Sequence, residues 1–162
     1  MKMKLILGVL LSLLAVQVFA QGERPEVRKQ VENFFAKFDA YIGAKDTKGL
    51  FTLFAPGYYS VDKQGKRTEL AEWKKGVLGA NKTTKDIKSH IQIKNVQLQD
   101  QEIVVWIQQK ITYTSKQNGK WVTATSTSRW AETLKATDAG LKSVSSQELF
   151  TNEPWTFKTN GQ

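Results

Sequence analysis

The feature that most constrains the fold is the stretch Ile103–Leu134, in which two long alternating segments meet at Asn118-Gly119. Asn-Gly between two such segments predicts a two-residue β-hairpin loop, because both central residues of a type I′ turn need positive φ. A shift of one residue would exchange the two faces of the hairpin, so the apolar pattern fixes the register. The predicted cross-strand pairs are Tyr113 with Ala124, Ile111 with Ser126, Ile107 with Trp130 and Val105 with Glu132.

The two faces of this hairpin differ in character. Period-2 alternation of this kind is typical of a sheet with one buried and one wetter face. The predicted buried face carries Ile103, Val105, Ile107, Ile111, Tyr113, Val122, Ala124 and Trp130. The other face is rich in threonine, with Trp106 and Trp121 among its members. Small side chains at residues 124, 126 and 128 leave room on the buried face, either for helix side chains or for a pocket.

The first twenty residues have the pattern of a secretory signal peptide. Two lysines precede the apolar run Leu5–Leu14, and Val18-Phe19-Ala20 forms a small-residue cleavage site. We therefore expect residues 1–20 to be removed and the protein to be secreted or periplasmic. The apolar run is short for a membrane span, so we expect no integral membrane segment after cleavage.

The sequence has no cysteine, one histidine and a formal net charge of +9. Without cysteine an exported chain has no disulfide, no thiolate nucleophile and no zinc–thiolate site. We see no acidic cluster for an oxygen-ligated metal, and we expect neither a metal nor a cofactor. The lysines are dispersed, which favours a solvated surface over nucleic-acid binding; weak attraction to anionic surfaces is the alternative.

The segment before the hairpin begins with two predicted helices. Pro25-Glu26 begins the first, because proline and an acid both suit the first turn of a helix. Its apolar residues recur every three or four positions until Gly43, which ends it. Asp46 caps a short second helix, which Pro56-Gly57 stops.

A short strand, a third helix and a long strand follow. Tyr58–Val61 is the predicted strand, and Thr68 is the predicted cap of the third helix. Gly79–Thr84 is a predicted polar loop. In the next strand, Ile87–Gln99, the apolar residues change parity, which predicts a β-bulge near Lys94-Asn95.

Helices that precede an antiparallel sheet indicate the α+β class. We predict a curved antiparallel sheet that wraps around the N-terminal helices as a cone. After the signal peptide, residues 21–150 form one domain whose last strand is Leu141–Phe150, and residues 151–162 form a tail. The rings of Trp155 and Phe157 either close the end of the core or lie in a loose tail.

The caps, turns and core positions of Lys45–Gly65, Glu72-Trp73 and Arg129–Thr133 carry a resemblance to a known family. With them, the layout of residues 27–150 resembles the nuclear transport factor 2-like superfamily, which includes ketosteroid isomerases and SnoaL-like polyketide cyclases. The resemblance implies a cystatin-like roll with a pocket between the helices and the concave sheet face. It also implies a homodimer through the outer sheet face. Fold does not determine function, which depends on the residues of the site.

Two carboxylates are candidates for a catalytic base. Ungapped alignment with the isomerase motif places Asp62 at the position of the base, but it places Phe38 at that of the oxyanion tyrosine. Phe38 cannot donate a hydrogen bond, and Asp62 also suits the turn that contains it. Glu132, if buried, must be paired or protonated. Its partner would be either a structural group of the protein or a ligand. His90 shares a face with Gln92 and points away from the predicted pocket.

The remaining candidates line the pocket or the outer face. We expect a pocket made of Tyr41, Tyr58, Tyr59, Trp73, Gln109, Tyr113, Ser126, Ser128 and Glu132. A few polar groups among aromatic rings are typical of a small-molecule site. On the outer face, Trp106, Trp121 and Arg129 are candidates for a protein interface, unless a loop or the tail covers them.

These patterns leave three functions open. The first is an exported, soluble domain that binds a small apolar or amphipathic ligand in the cone, without catalysis. The second is an isomerase-, cyclase- or dehydratase-type enzyme that uses Asp62 or Glu132 as its base. The third is an interaction or dimerisation module that works through the outer sheet face.

Overall fold

The computed structural model describes residues 24–149 and 156–159. Within this range the helices are α1 (Pro25–Ala44), α2 (Thr47–Phe51) and α3 (Leu70–Thr83). The strands are β1 (Phe54–Val61), β2 (Arg67–Glu69), β3 (Thr84–Gln99), β4 (Glu102–Gln117), β5 (Lys120–Thr137), β6 (Gly140–Leu149) and β7 (Thr156–Thr159). The predicted signal peptide and Trp155 lie outside the described residues.

The described strands form one sheet in the order β2-β1-β6-β5-β4-β3, and β7 pairs with β5 at residues 122–125. The predicted α+β class is confirmed. The predicted antiparallel sheet needs one correction: β1 and β6 pair in parallel, so the sheet is mixed. The local pattern did not indicate this pair, since the two strands are separated in sequence by α3 and the long hairpin.

The register of the central hairpin is confirmed. β4 and β5 pair without a shift, which places Ile107 opposite Trp130. Asn118 and Gly119 have φ values of 49° and 81°, as the two-residue type I′ loop requires.

The predicted bulge in β3 is also present, because its register with β4 shifts between Ile93 and Asn95. A second shift, which the apolar pattern did not indicate, lies between Lys85 and Lys88. Asp86 has a φ of 53° at that point. An irregular strand of this kind bends, which helps the sheet to curve around α1.

The ends of α3 differ from the prediction. The predicted polar loop Gly79–Thr84 is mostly the last turn of α3, and the Thr83 hydroxyl donates a hydrogen bond to the Ala80 carbonyl. Thr68 does not cap the helix, because it lies in β2. Glu69 occupies the N-cap position without a side-chain cap.

The second helix is shorter than predicted. It ends at Phe51, and β1 begins at Phe54, four residues before the predicted start of Tyr58–Val61. Pro56-Gly57 therefore lies inside β1, where the pairing with β6 is interrupted between Phe54 and Tyr59. A proline is tolerated in a strand at such an irregularity, because its missing N–H breaks no ladder hydrogen bond there.

The core lies between α1 and the concave face of the sheet. Its buried members include Val31, Phe34, Phe35, Leu50, Leu53, Phe54, Tyr58, Val105, Ile107 and Leu134. The predicted buried face of the hairpin is thus confirmed at Val105 and Ile107. On the opposite face the hydroxyls of Thr112 and Thr125 are 2.9 Å apart. No helix of the described residues is long and apolar enough to cross a membrane.

The corner between α1 and α2 depends on close approach at Gly49. A Cβ at this position would lie 2.6 Å from Asp46 Oδ2 and 2.6 Å from Tyr41 Cε1. The Asp46 carboxylate is the predicted cap of α2, and it accepts a hydrogen bond of 2.8 Å from the Gly49 amide. A side chain would therefore have to displace both the cap and a tyrosine ring.

Gly49→Ala is expected to lower the free energy of unfolding by about 1–3 kcal/mol, the usual cost of overpacking. The matched control is Gly76→Ala in α3, where a Cβ meets no atom within 4 Å. The control should raise stability by up to about 1 kcal/mol, since alanine favours the helix. Urea denaturation of the two variants measures both effects, and a stabilised Gly49→Ala protein would contradict the packing at this corner.

Candidate functional site

A cavity of about 180 Å³ lies between α1 and the concave face of the sheet. Its apolar lining comes from Phe35, Phe38, Ile42, Phe54, Trp73, Ile91, Ile107, Ile111 and Trp130. Its polar lining comes from Tyr58, Ser60, Gln109, Glu132 and Ser146. An apolar cavity of about 150 Å³ accommodates benzene. The space therefore fits one six-membered ring with a small substituent, or a short chain.

Three aromatic rings form one wall of the cavity. The centroid of the Phe54 ring lies 4.6 Å from that of Tyr58 and 4.5 Å from that of Trp73. The Tyr58 and Trp73 centroids are 5.9 Å apart. Ring pairs at these separations contribute about 0.5–1.5 kcal/mol each beyond burial. The wall joins β1 to α3 and fixes the direction of the Tyr58 hydroxyl.

Four polar residues meet at one end of the cavity, and we name them the polar cluster: Tyr58, Glu132, Ser143 and Ser146. The pairing of β5 with β6 places Glu132 opposite Ser146. Ser143 Oγ donates a hydrogen bond to Glu132 Oε1, and the Tyr58 hydroxyl lies 2.7 Å from Ser146 Oγ. All four side chains are buried. Among the described residues, no basic side chain forms a salt bridge with Glu132.

Burial raises the pKa of Glu132 to about 8, and the hydrogen bond from Ser143 only partly offsets this rise. Removal from water disfavours the charged form of a carboxyl group. Glu132 is therefore mostly protonated at pH 7 and can donate one hydrogen bond. Burial also raises the pKa of Tyr58, as does the negative charge of Glu132 once that carboxyl is ionised, so the phenol remains neutral.

Gln109, another polar residue of the lining, is held by a chain of hydrogen bonds. Its Nε2 donates to Ser89 Oγ at 3.0 Å, and Ser89 Oγ donates to Asp39 Oδ1 at 2.6 Å. Asp39 Oδ2 accepts from the Ile91 amide at 2.8 Å. Asp39 thus ties α1 to β3. Asp39 is not among the site residues predicted from the sequence, although an acid beside the apolar stripe of a helix was an available signal.

The predicted pocket residues separate into those that line this cavity and those that lie elsewhere. Tyr58, Trp73, Gln109 and Glu132 line it. Ser126 is buried on β5. The Ser128 hydroxyl accepts a hydrogen bond of 2.8 Å from Trp130 Nε1. Neither serine belongs to the described lining.

The other three tyrosines of the predicted pocket lie outside the cavity lining. Tyr41 lines a separate groove that also includes Lys142. The Tyr59 ring lies beneath the Arg67 guanidinium, whose carbon is 3.7 Å from the ring centroid. Tyr113 lines a second, apolar groove next to the cavity.

Asp62 lies in the turn between β1 and β2. Its Oδ1 accepts hydrogen bonds from the amides of Gln64 at 2.9 Å and Lys66 at 2.8 Å. The structure therefore places this carboxylate in a local turn and not in the described cavity lining. His90 is exposed on β3.

The outer-face candidates occupy different environments. Trp121 is 42% exposed, and the Lys85 ammonium lies 3.9 Å from the centroid of its ring. Trp106 is half-buried and paired with Ala131, while Arg129 is exposed. A homodimer through these residues stays a prediction.

Comparison with solved structures identifies the fold. A nuclear transport factor 2 superfamily protein from Salmonella enterica serovar Typhimurium has a TM-score of 0.66 at 14% identity, over 79% of this chain and 93% of its own. A candidate scytalone dehydratase from Novosphingobium aromaticivorans has a TM-score of 0.65 at 11% identity, over 85% and 89%. A ketosteroid isomerase-like protein from Erwinia carotovora has a TM-score of 0.60 at 14% identity, over 79% and 100%.

The sequence itself matches no protein-family model and no curated protein. At identities this low, structural likeness shows a common fold and does not transfer an activity. The predicted cone-like roll is confirmed. The chain has the nuclear transport factor 2-like fold.

Proposed function

We propose that this protein binds a small, mostly apolar molecule with a hydrogen-bond-accepting oxygen, such as a ketone, in the cavity between α1 and the sheet. The proposal is supported by the position of Glu132, a buried carboxyl whose pKa is raised to about 8, in a cavity lined mostly by apolar side chains. Ser143 occupies Oε1 of this carboxyl as a donor. In this proposal the carboxyl proton is carried on Oε2 and is donated to the ligand acceptor.

The composition of the lining also excludes two classes of ligand. The described lining residues include no lysine or arginine, so an anionic ligand would be buried without a counter-charge, which is costly. A purely apolar ligand would leave a buried donor unpaired, at a cost of about 1–3 kcal/mol. A neutral acceptor avoids both costs.

We propose further that the protein acts outside the cytoplasm, in a secreted or periplasmic location. The support is the signal-peptide pattern of residues 1–20.

A homodimer through the outer sheet face is proposed on the exposure of Trp121, since exposed aromatic rings favour protein interfaces.

Acetophenone and cumene test the proposal, because they have nearly the same shape and only acetophenone has an acceptor. Titration calorimetry at pH 6 is expected to give acetophenone a Kd on the order of 0.1–1 mM, consistent with the ligand's size. Cumene should bind about tenfold more weakly, because Glu132 then lacks a partner. Equal affinities for the two compounds would show that the Glu132 donor does not contribute to binding. If neither compound binds, the proposed binding of a ligand in the cavity is wrong.

The affinity for acetophenone is expected to fall above pH 8, since Glu132 loses its proton there. Binding at pH 9 should be roughly tenfold weaker than at pH 6, because about one tenth of the carboxyl groups remain protonated. Glu132→Gln keeps an N–H donor at this place, and its affinity should stay constant over the same range. A wild-type affinity that does not change with pH argues against Glu132 as the donor.

A second candidate function is proton transfer at the carbon next to a carbonyl group. It is favoured by the position of Glu132 beside Tyr58 in the cavity, and by a fold shared with a ketosteroid isomerase-like protein. Ionised Glu132 would take a proton from the α-carbon, and the C–H electron pair would move onto the carbonyl oxygen to give an enolate. A hydroxyl such as that of Tyr58 would donate to this oxygen. Asp62 is less suitable, because its carboxylate caps a turn.

Deuterium exchange separates this candidate from binding alone. Acetophenone in D₂O should exchange its methyl protons faster with the wild-type protein than in buffer, and the rate should rise through pH 8 as Glu132 ionises. Glu132→Gln should remove the acceleration while it retains binding. Exchange at the buffer rate leaves binding as the function.

A further inference from the structure

A second groove, of about 410 Å³, lies beside the cavity at the C-terminal ends of α1 and α3. Its apolar side chains are Ile42, Val77, Ile87, Ile111 and Tyr113. Its remaining described lining includes short polar residues such as Asn81 and Thr84, and none of the described lining is charged. The groove therefore suits an uncharged, aliphatic guest.

Two residues belong to both spaces. Ile42 and Ile111 line the cavity as well as the groove. Glu132, in contrast, lines the cavity and not the groove. A molecule that reached from one space into the other would therefore run from a hydrogen-bonding end to an apolar end, past these two isoleucine side chains.

We propose that the ligand is elongated: its ketone or hydroxyl head lies at Glu132, and an uncharged aliphatic chain passes between Ile42 and Ile111 into the groove. This inference rests on the proposed ligand binding and adds the shape and class of the ligand. The lining residues that the two spaces share favour one molecule that spans both over a separate occupant of the groove. The cavity alone is smaller than most small-molecule sites, whereas the two spaces together reach their usual size of about 300–1,000 Å³.

A series of 2-alkanones from 2-hexanone to 2-decanone tests the inference on the wild-type protein by calorimetry at pH 6. Each methylene that becomes buried is expected to raise the affinity about three- to fourfold. If the chain enters the groove, this rise continues to 2-decanone. If affinity stops rising or falls once the cavity is full, the inference is overturned and the proposed function stands. If no alkanone binds, the proposed function fails as well.

A matched pair of variants on α3 locates the chain. Val77 lines the groove, whereas its neighbour Leu78 is 43% exposed and outside the described lining. Val77→Ser is expected to weaken 2-decanone at least fivefold and to weaken 2-hexanone far less. Leu78→Ser should leave both affinities at the wild-type value. The proposed path is overturned if Val77→Ser loses the same affinity for the short and the long ketone, or if only Leu78→Ser loses affinity. The wild-type series decides the question even if Val77→Ser does not fold.

Discussion

Replacement of Glu132 by glutamine is expected to make the protein more stable than the wild type at pH 8–9, with little difference below pH 5. The pKa of this carboxyl rises from 4.5 to about 8 because it is buried. Between these values the folded protein keeps the proton and the unfolded chain has released it. The wild-type free energy of unfolding therefore falls as pH rises through this window. Since one pKa unit corresponds to about 1.4 kcal/mol, the total loss is on the order of 3–5 kcal/mol.

Glutamine imitates the protonated carboxyl in shape and has no proton to lose, so the variant should not share this loss. Urea denaturation at pH 5, 7 and 9 measures the difference between the two proteins. Glu102→Gln is the control, because Glu102 is an exposed carboxyl on β4. Its stability should follow the wild type at every pH. If Glu132→Gln also follows the wild type from pH 5 to 9, Glu132 is not held neutral in the folded protein.

The second large effect is expected from two adjacent valines on β4. Val105 is fully buried on the concave face, and Val104 is half-buried on the opposite face. Val105→Asp places a carboxyl in the apolar core without a partner, which should cost more than about 4 kcal/mol and prevent folding at neutral pH. Val104→Asp should cost only about 1 kcal/mol, mainly through the lower strand preference of aspartate.

The pair is informative because both variants make the same substitution in the same strand. The loss of strand preference is common to both, so the difference between them isolates the face on which each side chain lies. Circular dichroism at pH 7 and urea denaturation measure it. If Val104→Asp is the more damaging of the two, the hairpin is displaced by one residue and its faces are exchanged.

The parts of the fold that could be predicted from sequence are those with local signals. Asn118-Gly119 and the alternation around it determine one register, and the parity change in β3 indicates its bulge. The parallel pair of β1 and β6 has no such signal, because its register depends on contacts between distant segments. One of these is the hydrogen bond of 2.8 Å from the Ser143 amide to the Leu53 carbonyl.

The same division holds for the candidate site. Glu132 could be predicted as a buried carboxyl, because the hairpin register places it opposite Val105 on the apolar face. Its partner Ser143 could not, since the register of β5 with β6 shifts between Thr133 and Leu134. The tyrosines outside the cavity show the same limit. The direction of a ring such as Tyr41 depends on the rotation of α1 against the sheet, which the apolar stripe of the helix defines only coarsely.

Titration of the Glu132 carboxyl in the folded protein shows whether this residue is a neutral hydrogen-bond donor inside the cavity. Carbon-13 labelling of the glutamate side-chain carboxyls allows each to be followed by NMR from pH 3 to 10, and comparison with Glu132→Gln assigns the resonance. If burial holds Glu132 neutral, the midpoint of its titration lies at about 8. A midpoint near 4.5, the ordinary value for glutamate, would contradict a neutral Glu132.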